Sequence, residues 1–430
     1  MGCGKSEVLL TSLGIANNGG HAPAANVPRV TSGSGFRRLW QPPARFEDRQ
    51  GDRRVTFLEL FFDLVFVVVI AQMAHRLAEH PSWSGVGWFL FIFYAVWSSW
   101  INGTLYHDLH TTDDVSVRVF TFAQMLAVAV MAVHVGDVPG SGSAGFALGY
   151  ATNSLLLAIL WFRTGYHDPA HRSASNPYST AYMLSAAVFV ISTTVDVPGR
   201  YWLWGLGLAL EMMGLLVAFL RWTPPEGQDG VAVIAATPSL VERLGLFVII
   251  VLGEVVVGAV TGMAEVRSLG LDAVVTGLLG VIVAIGIWWL YFDLASHRLP
   301  VSRFTQLWLY LHLALVIAIA GGGAGVLNTV ERAAEPLPDS VRWLLVGALA
   351  AAVLCVVSIT LVLEARKDAS ELYRAVNLTM PVSAALIVAV GLTGWGAKAS
   401  LGAMAVLLLV PVGAGLTVWA RREDPAPEPG

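Results

Sequence analysis

Charged residues are scarce in this chain of 430 residues. Asp, Glu, Lys and Arg together make up 13% of it, whereas hydrophobic residues make up 56%, and the mean hydropathy is +0.66. Soluble domains carry about 25% charged residues, because their surface faces water. The composition therefore excludes a soluble globular protein, and it is too apolar for a disordered chain.

Basic charge and cysteine are also in short supply. The formal net charge is −4, which excludes the strongly basic surface typical of nucleic-acid-binding proteins. The two cysteines, Cys3 in a polar segment and Cys355 in an apolar run, exclude a disulfide framework. We therefore expect the lipid bilayer, and not nucleic acid, to be the main partner of the chain.

Long apolar runs fill most of the sequence. A bilayer core about 30 Å thick is crossed by about 20 apolar residues in a helix, and because the runs are continuous they predict helices and not barrel strands. We predict an all-α integral membrane protein with about twelve transmembrane helices at residues 57–79, 84–106, 117–136, 143–163, 180–197, 201–221, 240–262, 270–292, 305–328, 341–363, 374–393 and 399–420.

The segments between the runs are short and differ in charge. Most of the 26 Lys and Arg residues fall on the side of the N-terminus, so the positive-inside rule predicts that both termini are cytoplasmic and that the protein lies in the plasma membrane. No loop is long enough for a soluble catalytic domain. We predict a disordered basic tail at 1–55, six-helix repeats at 56–221 and 240–421, and a polar stub at 422–430.

The repeat prediction depends on polar residues that recur in both halves of the chain. The recurring pairs are Glu59 and Glu242, Gln72 and Glu254, Asp108 and Asp293, and Gln124 and His312. Because six spans return the chain to its starting side, tandem copies would run parallel, related by an axis along the membrane normal. The alternative is that apolar helices resemble one another by composition.

Five ionisable residues within the runs are candidates for a proton relay or for acid–base chemistry. An ionisable side chain in hydrocarbon costs at least about 2.5 kcal/mol, so each needs a reason to be there. The candidates are Glu254 and Glu211 near mid-membrane, Asp63 and Glu59 on one face of the first helix, and His312. The structural alternatives are interhelical hydrogen bonds and, for Glu59, an interfacial cap that Arg53 and Arg54 neutralise. Asp63 is expected to have a partner inside the bundle.

Other polar and aromatic residues suggest a lined cavity or a metal site. His107, Asp108, Asp113 and Asp114 are residue types that bind metals, but no HExxH or CxxC motif is present. Solvated loop residues explain the same pattern and are the favoured interpretation. We expect no cofactor. Paired tryptophans are typical of an interfacial belt or line a cavity. Candidate substrate-lining residues are Gln72, Gln124, Trp97, Trp100, Trp288, Trp289 and Asp293.

Several segments carry a family resemblance. VTFLELFFDLVFVVVIAQMAH, TDDVSVRVFTFAQM, LVERLGLFVIIVLGE, WWLYFD and LYLHLALVIAIAGGGAG, in this order, resemble the low temperature requirement A (LtrA) family of bacterial membrane proteins across roughly residues 50–420. The resemblance implies a polytopic helical membrane protein associated in name with growth at low temperature. It carries no settled biochemical activity.

Three functions remain open. Twelve spans, a tandem repeat and intramembrane carboxylates favour a proton-coupled secondary transporter, in which Glu254 and Asp63 change protonation with support from His312 and Glu211. The alternative is an intramembrane enzyme that uses a buried carboxylic acid, or a His/Asp metal site, on a lipid or isoprenoid. A non-catalytic sensor or cold-adaptation protein is the third.

Overall fold

The computed structural model describes residues 55–110, 115–169, 171–221, 236–266, 270–366 and 370–423. Apart from short 3₁₀ turns and one isolated bridge between Pro300 and Leu363, the regular structure of these residues is α-helical. The helices are α1 (Phe57–Glu79), α2 (Trp83–His110), α3 (Val115–Val135), α4 (Ser143–His167), α5 (Arg172–Ser192), α6 (Gly199–Arg221), α7 (Pro238–Glu265), α8 (Leu271–Leu294), α9 (Thr305–Glu331), α10 (Asp339–Leu361), α11 (Ser370–Gly391) and α12 (Ala397–Glu423).

Each of the twelve predicted runs falls on one of these helices. Eleven of the helices are long and apolar enough to cross a membrane, which confirms a multi-span helical architecture. The exception is α5, which begins eight residues before the predicted run 180–197 and ends five residues before its end. Its first turns carry Arg172, Ser173, Ser175, Asn176 and Pro177, and this polar start lowers its hydropathy.

Local sequence signals fix where α1 and α7 begin. Thr56 accepts a hydrogen bond from the Glu59 amide, and the Glu59 carboxylate accepts one from the Thr56 amide at 2.9 Å, which forms a capping box. Thr237 caps α7 through the Leu240 amide, and Pro238 occupies the first turn. The caps fix the residues at which the two helices begin. Asp63 and Arg243 each follow within the first two turns or so.

The same helix pairs pack in the two halves of the chain. The pairs α1–α2, α1–α3, α3–α4, α4–α5 and α5–α6 have counterparts in α7–α8, α7–α9, α9–α10, α10–α11 and α11–α12. Other pairings differ between the halves. Helix α12 packs along α8 with Leu408 against Gly286, whereas α6 and α2 meet at few residues, and α9 contacts α8, whereas α3 and α2 meet at few residues, if any. This arrangement is compatible with the predicted repeat, which remains a prediction.

Helix α9 lies at the centre of the molecule, against α1, α2, α7, α8 and α10. It is continuous through the glycine-rich segment 321–325, so these glycines serve close packing and not a break in the helix. A Cβ atom on Gly258 of α7 would lie 2.4 Å from the Gly323 carbonyl oxygen of α9. The two backbones are therefore in direct contact, as small residues allow in membrane helices.

Candidate functional site

Asp63 and Arg243 form a buried ion pair between α1 and α7. Arg243 Nη2 donates to Asp63 Oδ1 at 2.9 Å and Arg243 Nε donates to the same carboxylate at 3.2 and 3.3 Å. Trp100 of α2 donates its indole N–H to Asp63 Oδ1 at 2.7 Å. Asp63 is 0% exposed and Arg243 is 2% exposed, so three helices are joined by a charge pair removed from water.

Glu59 and an aromatic stack complete this layer. Glu59 Oε1 lies 3.6 Å from Arg243 Nη1, as expected for a carboxylate one turn before Asp63 on the same face. The Trp100 ring stacks on Phe247 of α7 at a centroid distance of 3.9 Å. We call Glu59, Asp63, Trp100, Arg243 and Phe247 the ion-pair layer.

The expected partner of Asp63 is thus present, and sequence reasoning did not identify it. By the positive-inside rule alone, Arg243 is one of the basic residues near the predicted cytoplasmic face. The available signal was its position inside the apolar run 240–262, where an arginine needs a carboxylate as much as Asp63 needs a cation. Arg53 and Arg54, the expected partners of Glu59, lie outside the described residues.

Glu254 lies on the wall of a cavity between α1, α7 and α9. The cavity has a volume of about 370 Å³, its polar lining consists of Gln72, His75, Glu254 and Thr261, and Gly258 and Gly323 also line it. Among the described residues no side chain hydrogen-bonds or ion-pairs with the Glu254 carboxylate. Gln72 and Glu254, predicted to be equivalent, therefore face one space, and we call it the Glu254 cavity.

The ion-pair layer and the Glu254 cavity lie along one seam between α1 and α7. On α1, Asp63 and Gln72 are separated by about 14 Å of helix, and on α7, Arg243 and Glu254 by about 16 Å. The ion-pair layer closes the seam at the end where both helices begin. The seam opens into the cavity toward their carboxyl ends, where Gln72 and His75 are exposed.

Glu211 occupies a separate site in the first half. Ser98 and Tyr150 donate to its Oε2 at 3.0 and 2.7 Å, and Ser154 and Ser185 donate to its Oε1 at 3.1 and 2.8 Å. These hydroxyls come from α2, α4 and α5, so Glu211 of α6 fastens four helices. The interhelical hydrogen bond that we gave as its structural alternative is present four times over.

His312 of α9 is buried with both ring nitrogens in hydrogen-bonding contact. Its Nδ1 lies 2.8 Å from the Trp308 carbonyl oxygen, which only accepts, so Nδ1 carries the proton. Its Nε2 then accepts from the Tyr291 hydroxyl at 3.1 Å. This geometry satisfies a neutral structural histidine, and the relay role of His312 remains a prediction.

The predicted lining residues do not meet in one cavity. Gln72 lines the Glu254 cavity, Trp97 lies beside Glu211, and Gln124 is buried 3.5 Å from Asn153. Trp289 and Asp293 line a third cavity against α11 and α12. Burial of Trp97 and Trp100 contradicts the belt interpretation for these two, whereas Trp288 is 40% exposed, as a belt residue is.

Two of the four predicted metal ligands, His107 and Asp108, lie in the described part of the chain, and both contact threonine hydroxyl groups. His107 lies 3.5 Å from the Thr121 hydroxyl, and both oxygens of Asp108 accept from Thr237 at 2.9 Å, which links α2 to the start of α7. Asp113 and Asp114 lie outside the described residues. Within the part of the chain that the structure describes, no group of three metal-binding side chains occurs.

Comparison with known proteins identifies the family of the chain. Residues 54–412 match the family described as bacterial low temperature requirement A protein. This chain belongs to the LtrA family. The matched region contains the ion-pair layer, Glu211 and Glu254, and the apolar helices make this LtrA protein a multi-pass membrane protein.

A curated relative extends the comparison without adding an activity. The chain is 29% identical over 279 residues to the uncharacterized protein RA0937 of Rhizobium meliloti (strain 1021). The similarity covers 61% of this chain and 66% of that protein, just under two thirds of its length.

Proposed function

We propose that this LtrA family protein is a proton-coupled secondary transporter of the plasma membrane with both termini in the cytoplasm. The observation that carries the proposal is the seam between α1 and α7, closed at one end by the ion-pair layer and open at the other as the Glu254 cavity. A volume of about 370 Å³ is within the usual range for a small-molecule site, about 300–1,000 Å³.

The packing of the helices supports two equivalent halves. Because α1–α3 and α7–α9 are corresponding pairs, α1 and α7 would be the equivalent first helices of two parallel six-helix units. The seam is then the boundary between the units, which is where transporters built from repeats bind their substrates. Rocking of one unit against the other would open the seam at alternate ends.

In this mechanism the two carboxylates have different tasks. Glu254 exchanges a proton with the side to which the cavity opens, because an unpaired carboxylate in the membrane is stabilised by protonation. Asp63 and Arg243 hold the opposite end closed, and the seam opens there when their contact breaks. Protonation of Asp63 would weaken that contact by removing its negative charge.

The test is complementation of a deletion strain of the source bacterium. Wild-type protein, Glu254→Gln, or the control Asp272→Asn is supplied, and small molecules and lipids are measured in cells and medium. The control makes the same carboxylate-to-amide change at an exposed ion pair with Lys398. We expect wild type and control to restore the distribution of a compound between cells and medium, and Glu254→Gln to leave it as in the deletion strain.

Three outcomes would contradict the proposal. If Glu254→Gln restores the wild-type profile at equal protein level, Glu254 is not the functional centre. If deletion instead causes a precursor to accumulate and its chemical product to disappear, the protein is an intramembrane enzyme. A profile unchanged by deletion, with growth impaired only in the cold, favours the sensor.

A further inference from the structure

A small cleft beside Glu211 is not used by the proposed mechanism. It lies between α6 and α9, with α2 as its floor, and encloses a cavity of about 50 Å³. A water molecule needs roughly 10–15 Å³ by this measure, so the cavity has room for an ion with a few waters. It is far below the roughly 300 Å³ of a drug-sized site.

The Glu211 carboxyl group has no cationic partner in the part of the chain that the structure describes. Glu211 is 5% exposed, and its contacts there are the four hydroxyl groups of Ser98, Tyr150, Ser154 and Ser185. Hydroxyl donors orient a carboxylate but supply no opposite charge. A buried charge without a counter-charge is costly, so the Glu211 carboxyl group either holds a proton or is balanced by a positive ion in the cleft, which would take the place of that proton.

The walls of the cleft offer the ligands that a hard cation takes. Its polar and aromatic lining around Glu211 comprises Tyr94, Trp97, Ser98, Asn102, Gln306 and Tyr310. Asn102 donates its Nδ2 to the Ser98 carbonyl oxygen at 2.7 Å, and no described donor hydrogen-bonds its Oδ1. Carboxylate, amide, hydroxyl and water oxygens suit hard ions, and aromatic rings add attraction for a cation.

Charge and size select the class of ion. The cleft presents one carboxylate, whereas protein sites for divalent ions such as Ca²⁺ commonly combine several acidic ligands. A single positive charge balances Glu211. We propose that the cleft between α2, α6 and α9 binds a small monovalent cation, such as Na⁺, K⁺ or NH₄⁺, against the Glu211 carboxylate.

The experiment measures the thermal stability of the full chain purified in detergent. Chloride salts of Na⁺, K⁺ and NH₄⁺ are titrated against N-methyl-D-glucamine chloride at constant ionic strength and pH, because that organic cation is too large for the cleft. An ion that binds only the folded protein raises the apparent melting temperature with saturation. We expect a rise of about 2–4 °C with at least one of the ions.

Three variants assign the effect to the cleft. Glu211→Gln removes the charge and should abolish the rise. Gln306→Leu leaves Glu211 and its hydroxyl partners intact but replaces a polar wall residue, and should shift the titration to at least about tenfold higher ion concentration, a loss of about 1.4 kcal/mol in binding. Asp272→Asn, which removes an exposed carboxylate, should respond as wild type.

The proposal is overturned if wild type melts at the same temperature in all four salts, whatever its response to pH. It is also overturned if Glu211→Gln keeps the wild-type response. Should Glu211→Gln not fold, Gln306→Leu decides alone, and a wild-type titration in that variant contradicts the cleft. Because the measurement requires no transport, its outcome is independent of the Glu254 test.

Discussion

The seam between α1 and α7 and the Glu211 cleft treat a buried carboxylate in different ways. In the seam, Asp63 faces Arg243, and charge is balanced by charge. In the cleft, Glu211 faces four neutral hydroxyls. The first arrangement supplies a cation for its carboxylate, whereas the second orients a carboxyl group and supplies no cation.

The two sites should differ in how well they tolerate substitution. Removing one member of the buried pair leaves the other charge in a low-dielectric interior without its partner, so the seam should tolerate single substitutions poorly. Hydroxyl groups both donate and accept, so the cleft should adapt to a neutral side chain. The stabilities of variants in the seam and in the cleft test this contrast.

The largest effect is expected from breaking the ion pair. Arg243→Met leaves Asp63 buried beside Trp100 without a cation, and we expect a loss of about 3–5 kcal/mol in the free energy of unfolding. The measurement is denaturation by SDS in mixed micelles. Lys398→Met, which breaks the exposed pair with Asp272, should cost less than about 1 kcal/mol.

A double variant identifies the cause of that loss. Asp63→Leu combined with Arg243→Met removes both charges, and we expect it to recover more than half of the stability lost by Arg243→Met alone. If the double variant is as unstable as the single one, the stability lost does not come from the unpaired Asp63. It then comes from the other contacts of Arg243, with Glu59 at 3.6 Å and with the Phe62 ring at 5.4 Å.

An intermediate effect is expected where α7 and α9 touch at the Glu254 cavity. A Cβ atom on Gly323 would lie 2.7 Å from the Glu254 carbonyl oxygen, whereas one on Gly322 would have its nearest neighbour at 3.7 Å. Gly323→Ala should therefore push the helices apart and cost about 1–3 kcal/mol, and Gly322→Ala should be close to neutral. Equal stabilities in the same SDS assay would contradict close contact as the reason for glycine there.

The helices were predictable because apolar length is a property of each segment alone. The sequence also indicated that Glu59 and Asp63 share a face, since helical spacing is fixed. The position of Arg243 inside an apolar run indicates that it needs a carboxylate, but not which one, because the contact with Asp63 joins distant parts of the chain and depends on how α1 packs against α7. The four hydroxyl partners of Glu211 were missed for the same reason, as serine and tyrosine are unremarkable within an apolar run.

The polar first turns of α5 show that hydropathy alone does not define where a helix begins. The predicted run 180–197 begins too late because apolar residues alone define it, and the serine-rich turn before them is also helical. In the structure that turn is helical, and Ser179 donates to the Ala158 carbonyl oxygen at 2.9 Å. Contacts with neighbouring helices thus stabilise the polar turns of α5, whereas a helix that faces lipid would need apolar side chains there.

The smallest effect is expected from Glu211→Gln in N-methyl-D-glucamine chloride. The glutamine oxygen accepts from two hydroxyls and its amide donates to the other two, so every group keeps a partner, and the unbalanced charge is gone. We expect the free energy of unfolding to change by less than about 1 kcal/mol. Asp63→Asn in the same assay should cost clearly more, because Arg243 has no acceptor capacity with which to adapt. If Glu211→Gln is as damaging as Asp63→Asn, Glu211 already has a counter-charge, and the two carboxylates do not differ as the contacts indicate.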